Sequence, residues 1–114
     1  MFGNSRREAA ARRAYAPVFA ALGDETRLSL IATLGDGRRR SITGLTKGAK
    51  VTRQAITKHL RVLEQAGMVR RIREGRESLY ELEPQPIADL KSYLDRVSEE
   101  WDATLARLKA FVET

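Results

Sequence analysis

The spacing of the apolar residues changes at Gly67, and this change limits what the chain can fold into. Before Gly67, apolar residues recur every three or four positions between residues 56 and 63, which is typical of one helix face. After it, apolar and charged residues roughly alternate between residues 72 and 82, which is typical of strands. The sequence therefore predicts a helix that leads directly into a β-hairpin.

The predicted helix begins at Thr52, a residue type that is favoured at the N-cap, and extends to Ala66. At 100° per residue, its polar side chains fall opposite the apolar ones. The outer face then carries Gln54, Lys58, Arg61 and Gln65, with Arg53 and Thr57 towards one edge.

A shorter helix is predicted to precede it. Ser41 is its N-cap, and apolar residues follow at helical spacing up to Ala49. Gly44 and Gly48 each cost about 1 kcal/mol relative to alanine, so we expect packing against neighbouring elements to hold this helix. A short helix, a tight turn and a longer helix together predict a helix-turn-helix over residues 41–66.

Residues 68–82 are predicted to form a two-stranded wing with a turn around Gly75. Its arginines are Arg70, Arg71, Arg73 and Arg76. Pro84 and Pro86 are expected to close the hairpin off.

The first residues, 1–16, are predicted to form an N-terminal helical extension. Ser5 and Glu8 have the spacing of a capping box, and alanines and arginines that favour helix follow them. Pro17 is expected to end this helix or to begin the next one, because proline is tolerated only in a first turn. Gly23 is predicted to be a helix stop.

The C-terminal residues 87–113 are predicted to form one long helix. Its apolar residues follow heptad-like spacing, at Ile87, Leu90, Leu94, Val97, Trp101, Leu105, Leu108 and Val112. This is more apolar surface than the core of a small domain requires from one helix, so we expect it to form a dimer interface. Packing within its own subunit is the alternative.

The fold class that follows is mainly α with a small β-hairpin, in the order α-α-α-α-β-β-α. We interpret residues 1–114 as a single winged helix-turn-helix domain, a size that fits one modest core.

The positive charge is concentrated in the middle of the chain. Residues 38–76 carry twelve basic and two acidic side chains, giving +10, whereas residues 77–114 carry four basic and nine acidic ones, giving −5. A basic block of this kind indicates a polyanionic partner, and its location on the helix-turn-helix and the wing favours DNA.

Composition excludes several other functions. The chain has no cysteine, which excludes disulfides and thiolate chemistry and suits a reducing cytoplasm. It has no apolar run long enough to span a membrane, and its start lacks a signal-peptide core. The single histidine, His59, has no catalytic partner, so we expect no enzyme activity, no cofactor and no metal. A packing or phosphate-contacting role is more consistent with its position at the border of the buried helix face.

Candidate DNA contacts follow from the residue types. Side chains near the start of a recognition helix meet base edges in the major groove. The base-reading candidates are Thr52, Arg53, Gln54, Thr57 and Lys58. The phosphate and wing candidates are Ser41, Lys50, His59, Arg61, Arg71, Arg73 and Arg76.

Two segments, "VFAALGDETRLSLIATL" and "TRQAITKHLRVLEQAGMVRRIREGRESLYEL", resemble the ArsR-type (arsenical-repressor-like) winged-helix transcription regulators. The resemblance covers residues 17–82. It implies a recognition helix over residues 52–66 and a homodimer formed by the first and last helices. The interface candidates are Phe19, Leu90, Leu94, Val97, Trp101, Leu105 and Leu108.

The chain departs from that family in two places. It lacks the cysteines and the C-terminal histidine that hold metal in metal-sensing members, so metal sensing is not carried over. Gly44 stands where the family favours a better helix former. The sequence therefore predicts a cytoplasmic, homodimeric repressor that binds an inverted repeat of double-stranded DNA and occludes a promoter. The alternative is a winged-helix module that binds duplex DNA without sequence preference.

Overall fold

The computed structural model describes residues 5–113; the first four residues of the predicted N-terminal extension, and Thr114, lie outside this range. The elements are α1 (Arg6–Leu22), α2 (Glu25–Leu34), β1 (Arg40–Ser41), α3 (Ile42–Thr46), α4 (Arg53–Gln65), β2 (Val69–Glu74), β3 (Glu77–Leu82) and α5 (Pro84–Glu113). The strands form one antiparallel sheet in the order β1-β3-β2. This confirms the predicted mainly helical winged helix-turn-helix.

Four helices begin at side-chain caps that are recognisable in the sequence. Ser5, Asp24, Ser41 and Thr52 each accept a hydrogen bond from the backbone N–H three residues later, at 3.0–3.1 Å. Each bond satisfies one of the N–H groups that have no acceptor within the helix. These caps fix where α1, α2, α3 and α4 start.

The core lies between α2, α4 and the sheet. Leu34, Leu60, Leu63 and Met68 are completely buried, and Ile56 is 1% exposed. Three of these side chains come from the inner face of α4, so the core holds this helix by one side only. Gly67, with φ +77°, then turns the chain from α4 into the sheet.

The hairpin is part of a three-stranded sheet rather than a separate pair of strands. The prediction lacked β1, in which Arg40 pairs with Tyr80 and Ser41 pairs with Leu79. A strand of only two residues, next to a run of arginines, has no alternating pattern that would reveal it in the sequence. It forms because β3 has a free edge with which it can pair. The first helix of the helix-turn-helix is also shorter than predicted, since it ends at Thr46.

The expectation about Pro17 was wrong. Pro17 lies inside α1, where it neither ends nor begins a helix. It is exposed, and Tyr15 and Ala21, on either side of it, pack against the rest of the subunit. The hairpin ends at Leu82, before Pro84 and Pro86, as expected, but α5 begins earlier than the predicted residue 87, and these prolines are its first and third residues. The N–H groups of a first turn have no acceptor within the helix, so prolines there cost little and the helix starts directly after the wing.

Candidate nucleic-acid interface

The outer face of α4 is an exposed polar surface. Arg53, Gln54, Thr57, Lys58 and Arg61 line one shallow depression on it. Within the described residues, none of its three cations forms an ion pair with a carboxylate, so their charge is available to a polyanion. Thr57 differs from the others because its hydroxyl donates to the carbonyl oxygen of Arg53 at 2.9 Å.

The first residues of α4 are held in place by α3 and by the cap. Thr52 accepts a hydrogen bond from the backbone N–H of Ala55 at 3.1 Å. Arg53 donates from Nη1 to the hydroxyl of Thr43 on α3 at 2.9 Å. The start of α4 therefore presents an arginine whose direction is set by the neighbouring helix.

The wing tip and the start of α4 border one cleft of about 510 Å³. Arg53 comes from α4, Ser41 from the cap of α3, and Arg76 from the two-residue tip of the wing. The acidic side chains of Glu74 and Glu77 line the same cleft. Gly75 has φ +62°, as the first position of a type II′ hairpin turn requires, which fixes the tip without a longer loop.

The wing carries its charges differently on its two faces. Because side chains alternate along a strand, Arg71 and Arg73 share the face of their cross-strand partners Tyr80 and Ser78. Tyr80 is buried, so this face packs against the helices at its base and carries arginines towards the tip. No ion pair is formed by Arg71, Arg73 or Arg76 with any residue between 5 and 113. We call the face that carries Arg71, Arg73, Ser78 and Tyr80 the front face of the wing.

The opposite face, which we call the back face, is held by ion pairs. Arg70 pairs with Glu81 and lies 3.2 Å from Glu83. Arg39, just before β1, pairs with Glu74 at 3.0 Å and with Glu81 at 3.2 Å. Arg70 and Arg39 are therefore neutralised by the protein itself, although both belong to the basic block of the sequence.

The carboxylate of Glu81 makes the stability of the wing depend on pH. Its pKa lies below the ordinary value of 4.5, first because Arg70 donates to its carboxylate and also because Arg39 does. A carboxylate with a lowered pKa contributes stability that is fully present above pH 4.5 and is lost as the pH falls further. We expect amide exchange in β3 to accelerate below pH 4.5, beyond the intrinsic pH dependence of exchange. A Glu81→Gln variant should lack this extra acceleration; equal profiles for both proteins would contradict the expectation.

The other phosphate candidates lie in different places. Ser41 caps α3 and borders the cleft, whereas Lys50 lies in the loop before α4 and lines a separate cavity beside α2. The phosphate-contacting role of His59 stays a prediction, and its side chain contacts two residues of its own subunit. Its Nδ1 is 3.1 Å from Nη1 of Arg27 and 3.8 Å from Asp24, between α4 and α2.

The predicted apolar seam of α5 separates into two stripes. The inner stripe packs against its own subunit and includes Tyr93, which stacks on Tyr15 of α1 with ring centroids 4.6 Å apart. Leu90 belongs to it as well and is 7% exposed in the core, so it is not available to a partner subunit. Val97 is partly buried.

The outer stripe of α5 is exposed over the C-terminal half of the helix. Leu94, Trp101, Leu105 and Leu108 are 44–57% exposed, and Val112 at the end of the helix is 80% exposed. At 100° per residue, these five positions lie within about 60° of one another around the helix. Phe19 on α1 is 38% exposed and packs beside Tyr93.

Three side chains that make the contacts described above were not predicted from the sequence: Tyr93, Arg39 and Thr43. Tyr93 could have been found, because it continues the three- and four-residue spacing of the inner stripe. Arg39 and Thr43 carry no such signal, since their partners lie at least ten positions away along the chain.

Residues 5–113 contain no group of three or more histidine, cysteine or acidic side chains arranged to hold a metal ion. Of the helices in the same range, none is both long and apolar enough to cross a lipid bilayer.

Comparison with known proteins places the fold among regulators of transcription. Residues 22–72 match a family described as a helix-turn-helix domain. An uncharacterized HTH-type transcriptional regulator of Bacillus subtilis (strain 168), YuzN, is 35% identical over a match of 79 residues, and the match covers 64% of this chain and 86% of the relative.

Two solved structures extend the likeness to most of the chain. An ArsR-like transcriptional regulator from Rhodococcus sp. RHA1 has a TM-score of 0.79 and 36% identity, covering 92% of this chain and 95% of that chain. The homodimeric winged helix-turn-helix DNA-binding domain of a possible ArsR-family regulator from Mycobacterium bovis has a TM-score of 0.65 and 27% identity. It covers 88% of this chain and 92% of that domain.

Proposed function

This chain belongs to the ArsR-like family of helix-turn-helix transcriptional regulators, and from that premise we propose that it is a homodimeric, sequence-specific repressor. The family consists of DNA-binding regulators rather than enzymes, and both statements hold for this chain. The finer proposal is that two subunits bind an inverted repeat in the cytoplasm and block a promoter.

The observation that carries the proposal is the cleft shared by α4 and the wing tip. Arg53 and Arg76 line it from two different elements, so one segment of duplex can meet both. A major groove about 12 Å wide admits α4, whose first turns carry Arg53, Gln54 and Lys58 on the outer face. Arginine can donate two hydrogen bonds to guanine and glutamine can pair with adenine, so these are the proposed base-reading residues, together with Thr52 and Thr57.

The proposed phosphate contacts come from the edges of this surface. Arg61 lies one turn beyond Thr57 and Lys58 on α4. The front face of the wing adds Arg71 and Arg73, and the tip of the wing adds Arg76. Ser41 and Lys50 lie at the two ends of the short segment around α3 and can approach the backbone from there. Contacts of this kind give affinity that depends on salt but carries no sequence information.

Self-association is proposed from the outer stripe of α5. One recognition helix contacts only a few base pairs, whereas a two-fold dimer places two of them about 34 Å apart on successive turns of the groove. The outer stripe is an exposed apolar surface that a second copy can cover with its own equivalent stripe. The related Mycobacterium bovis domain, which is homodimeric, supports this assignment.

The experiment that tests sequence specificity starts from fragments of the source genome. Fragments retained by the protein are selected and sequenced, and fluorescence anisotropy compares the best one with random duplex at about 150 mM salt. A sequence-specific regulator should bind its site at least about 1,000-fold more tightly than random duplex. Equal affinities would instead support a winged-helix module that binds DNA without sequence preference. Transcription in vitro from the selected promoter then tests repression.

Replacing Gln54 and replacing Arg76 are expected to change DNA affinity in different ways. Gln54→Ala should cost about 1–3 kcal/mol on the selected site and little on random duplex, because the lost contact is to a base edge. Arg76→Ala should weaken both duplexes alike and reduce the slope of log affinity against log salt by about 1. Gln65→Ala, on the same face at the far end of α4, is the control for Gln54. Uniform weakening by Gln54→Ala would contradict its base-reading role.

A further inference from the structure

We propose that Arg39 is a positioning residue that fixes the wing tip for contact with DNA. The inference rests on the proposed DNA-binding function. Arg39 belongs to the run of three arginines at residues 38–40, which by charge alone resembles a patch for phosphate. The structure instead directs its guanidinium to two carboxylates of the wing, Glu74 and Glu81.

One guanidinium joins both strands of the hairpin to the segment before β1. Its Nη1 lies 3.0 Å from Oε1 of Glu74, at the end of β2, and its Nε lies 3.2 Å from Oε2 of Glu81 on β3. Glu74 is the last residue before the tip, Gly75-Arg76. The contact therefore acts directly beside the residue that we propose grips phosphate.

The backbone alone holds the wing weakly at this point. The strand β1 has two residues and forms only two residue pairs with β3, next to Tyr80 and Leu79. An isolated two-stranded hairpin is marginally stable in water, and its tip lies farthest from the core. The contacts of Arg39 supply a constraint at the tip that the short strand does not reach.

The geometry requires an arginine. Two nitrogen atoms of one planar group reach two different carboxylates, which a single lysine ammonium cannot reproduce with the same geometry. Glu81 is also held by Arg70, so the back face forms a network rather than one isolated surface pair. Networks of this kind order side chains more than single exposed ion pairs do.

The positioning role of Arg39 and simple electrostatic attraction predict opposite changes in DNA affinity for one variant, Glu74→Ala. Glu74→Ala removes a negative charge beside the proposed DNA surface, so attraction between the protein and phosphate alone would tighten binding. If Glu74 is the anchor for Arg39, the same change should loosen the tip and weaken binding, roughly threefold. The sign of the change therefore separates the two explanations.

The first variant for the test is Arg39→Lys, which keeps the charge and removes the two-carboxylate contact. We expect it to weaken binding to the selected DNA site by roughly threefold to fivefold, the scale of one or two exposed ion pairs. Arg38→Lys is the matched control, because Arg38 is exposed and its side chain forms no ion pair with another described residue; it should bind within about 1.5-fold of the original protein.

A second readout needs no DNA. Amide hydrogen exchange at Gly75 and Arg76 should accelerate in Arg39→Lys and in Glu74→Ala, but not in Arg38→Lys. The proposal is overturned if Arg39→Lys matches the original protein in exchange and in affinity, or if Glu74→Ala binds DNA more tightly. If the original protein prefers no duplex, the proposed function fails, while the exchange comparison still decides whether Arg39 fixes the tip.

Discussion

Replacing Leu60 by alanine is expected to lower the free energy of unfolding by about 2–5 kcal/mol, the range found when a buried leucine is truncated. Leu60 is completely buried on the inner face of α4, in the same cluster as Leu34, Leu63 and Met68. Small domains are stable by only about 5–15 kcal/mol, so this loss removes a large share of the total. The helix α4, which we propose reads DNA, depends on the same cluster, so DNA affinity should fall wherever unfolded protein accumulates.

Urea denaturation followed by circular dichroism measures the effect, and Leu28→Ala is the matched control. Leu28 is 53% exposed on α2, so the same truncation should change stability by no more than about 0.5 kcal/mol. If both variants lost equal stability, α4 would not be held by the core in the way described.

A double change on α5, Leu105→Glu with Leu108→Glu, should raise the dissociation constant of the dimer by at least about 100-fold. These side chains are 57% and 56% exposed in the subunit and lie on the outer stripe. In a two-fold dimer each change occurs twice, and burying an unpaired carboxylate costs several kcal/mol. Each monomer would then bind a half-site alone, so affinity for the full site should fall by about 100-fold or more.

Analytical ultracentrifugation measures the dissociation constant of the dimer, and fluorescence anisotropy measures DNA affinity over the same range of protein concentrations. Leu28→Glu is the control, since it places a carboxylate at an equally exposed leucine outside the stripe. Circular dichroism should show that the double variant remains helical. A double variant that stays dimeric would move the interface away from the outer stripe.

The parts of the fold that were predictable are those with a local signal. The caps Ser41 and Thr52 and the apolar positions of α4 lie within a few residues of one another, so the sequence shows the start and the buried side of this helix. The hairpin is equally local, because glycine at the tip and alternating residues on both sides define it.

The features that were not predictable depend on distant parts of the chain. The strand β1 exists because β3, some forty residues later, leaves an edge free. Pro17 is accommodated within α1 because packing on both sides holds the helix, although proline is unfavourable in a helix interior. Neither condition is visible in the residues around these positions.

The candidate site divides in the same way. The exposed face of α4 follows from helical spacing, and its residue types indicate DNA. Which arginines of the basic block remain unpaired does not follow, because Arg39 and Arg70 meet acidic partners that are 11 to 42 positions away. Likewise, Leu90 and Leu94 share one seam in the sequence, and only the packing of α5 assigns them to the core and to the surface.

The inner and outer stripes belong to one uninterrupted helix of 30 residues, about 45 Å long. The proposed dimer contact and the subunit core are thus rigidly joined, with no loop between them to absorb a rotation. Inserting one base pair between two half-sites turns one of them by roughly 34° and shifts it by about 3.4 Å. A protein built in this way should tolerate such an insertion poorly, so we expect its affinity to depend on the spacing of the two half-sites as well as on their base sequence.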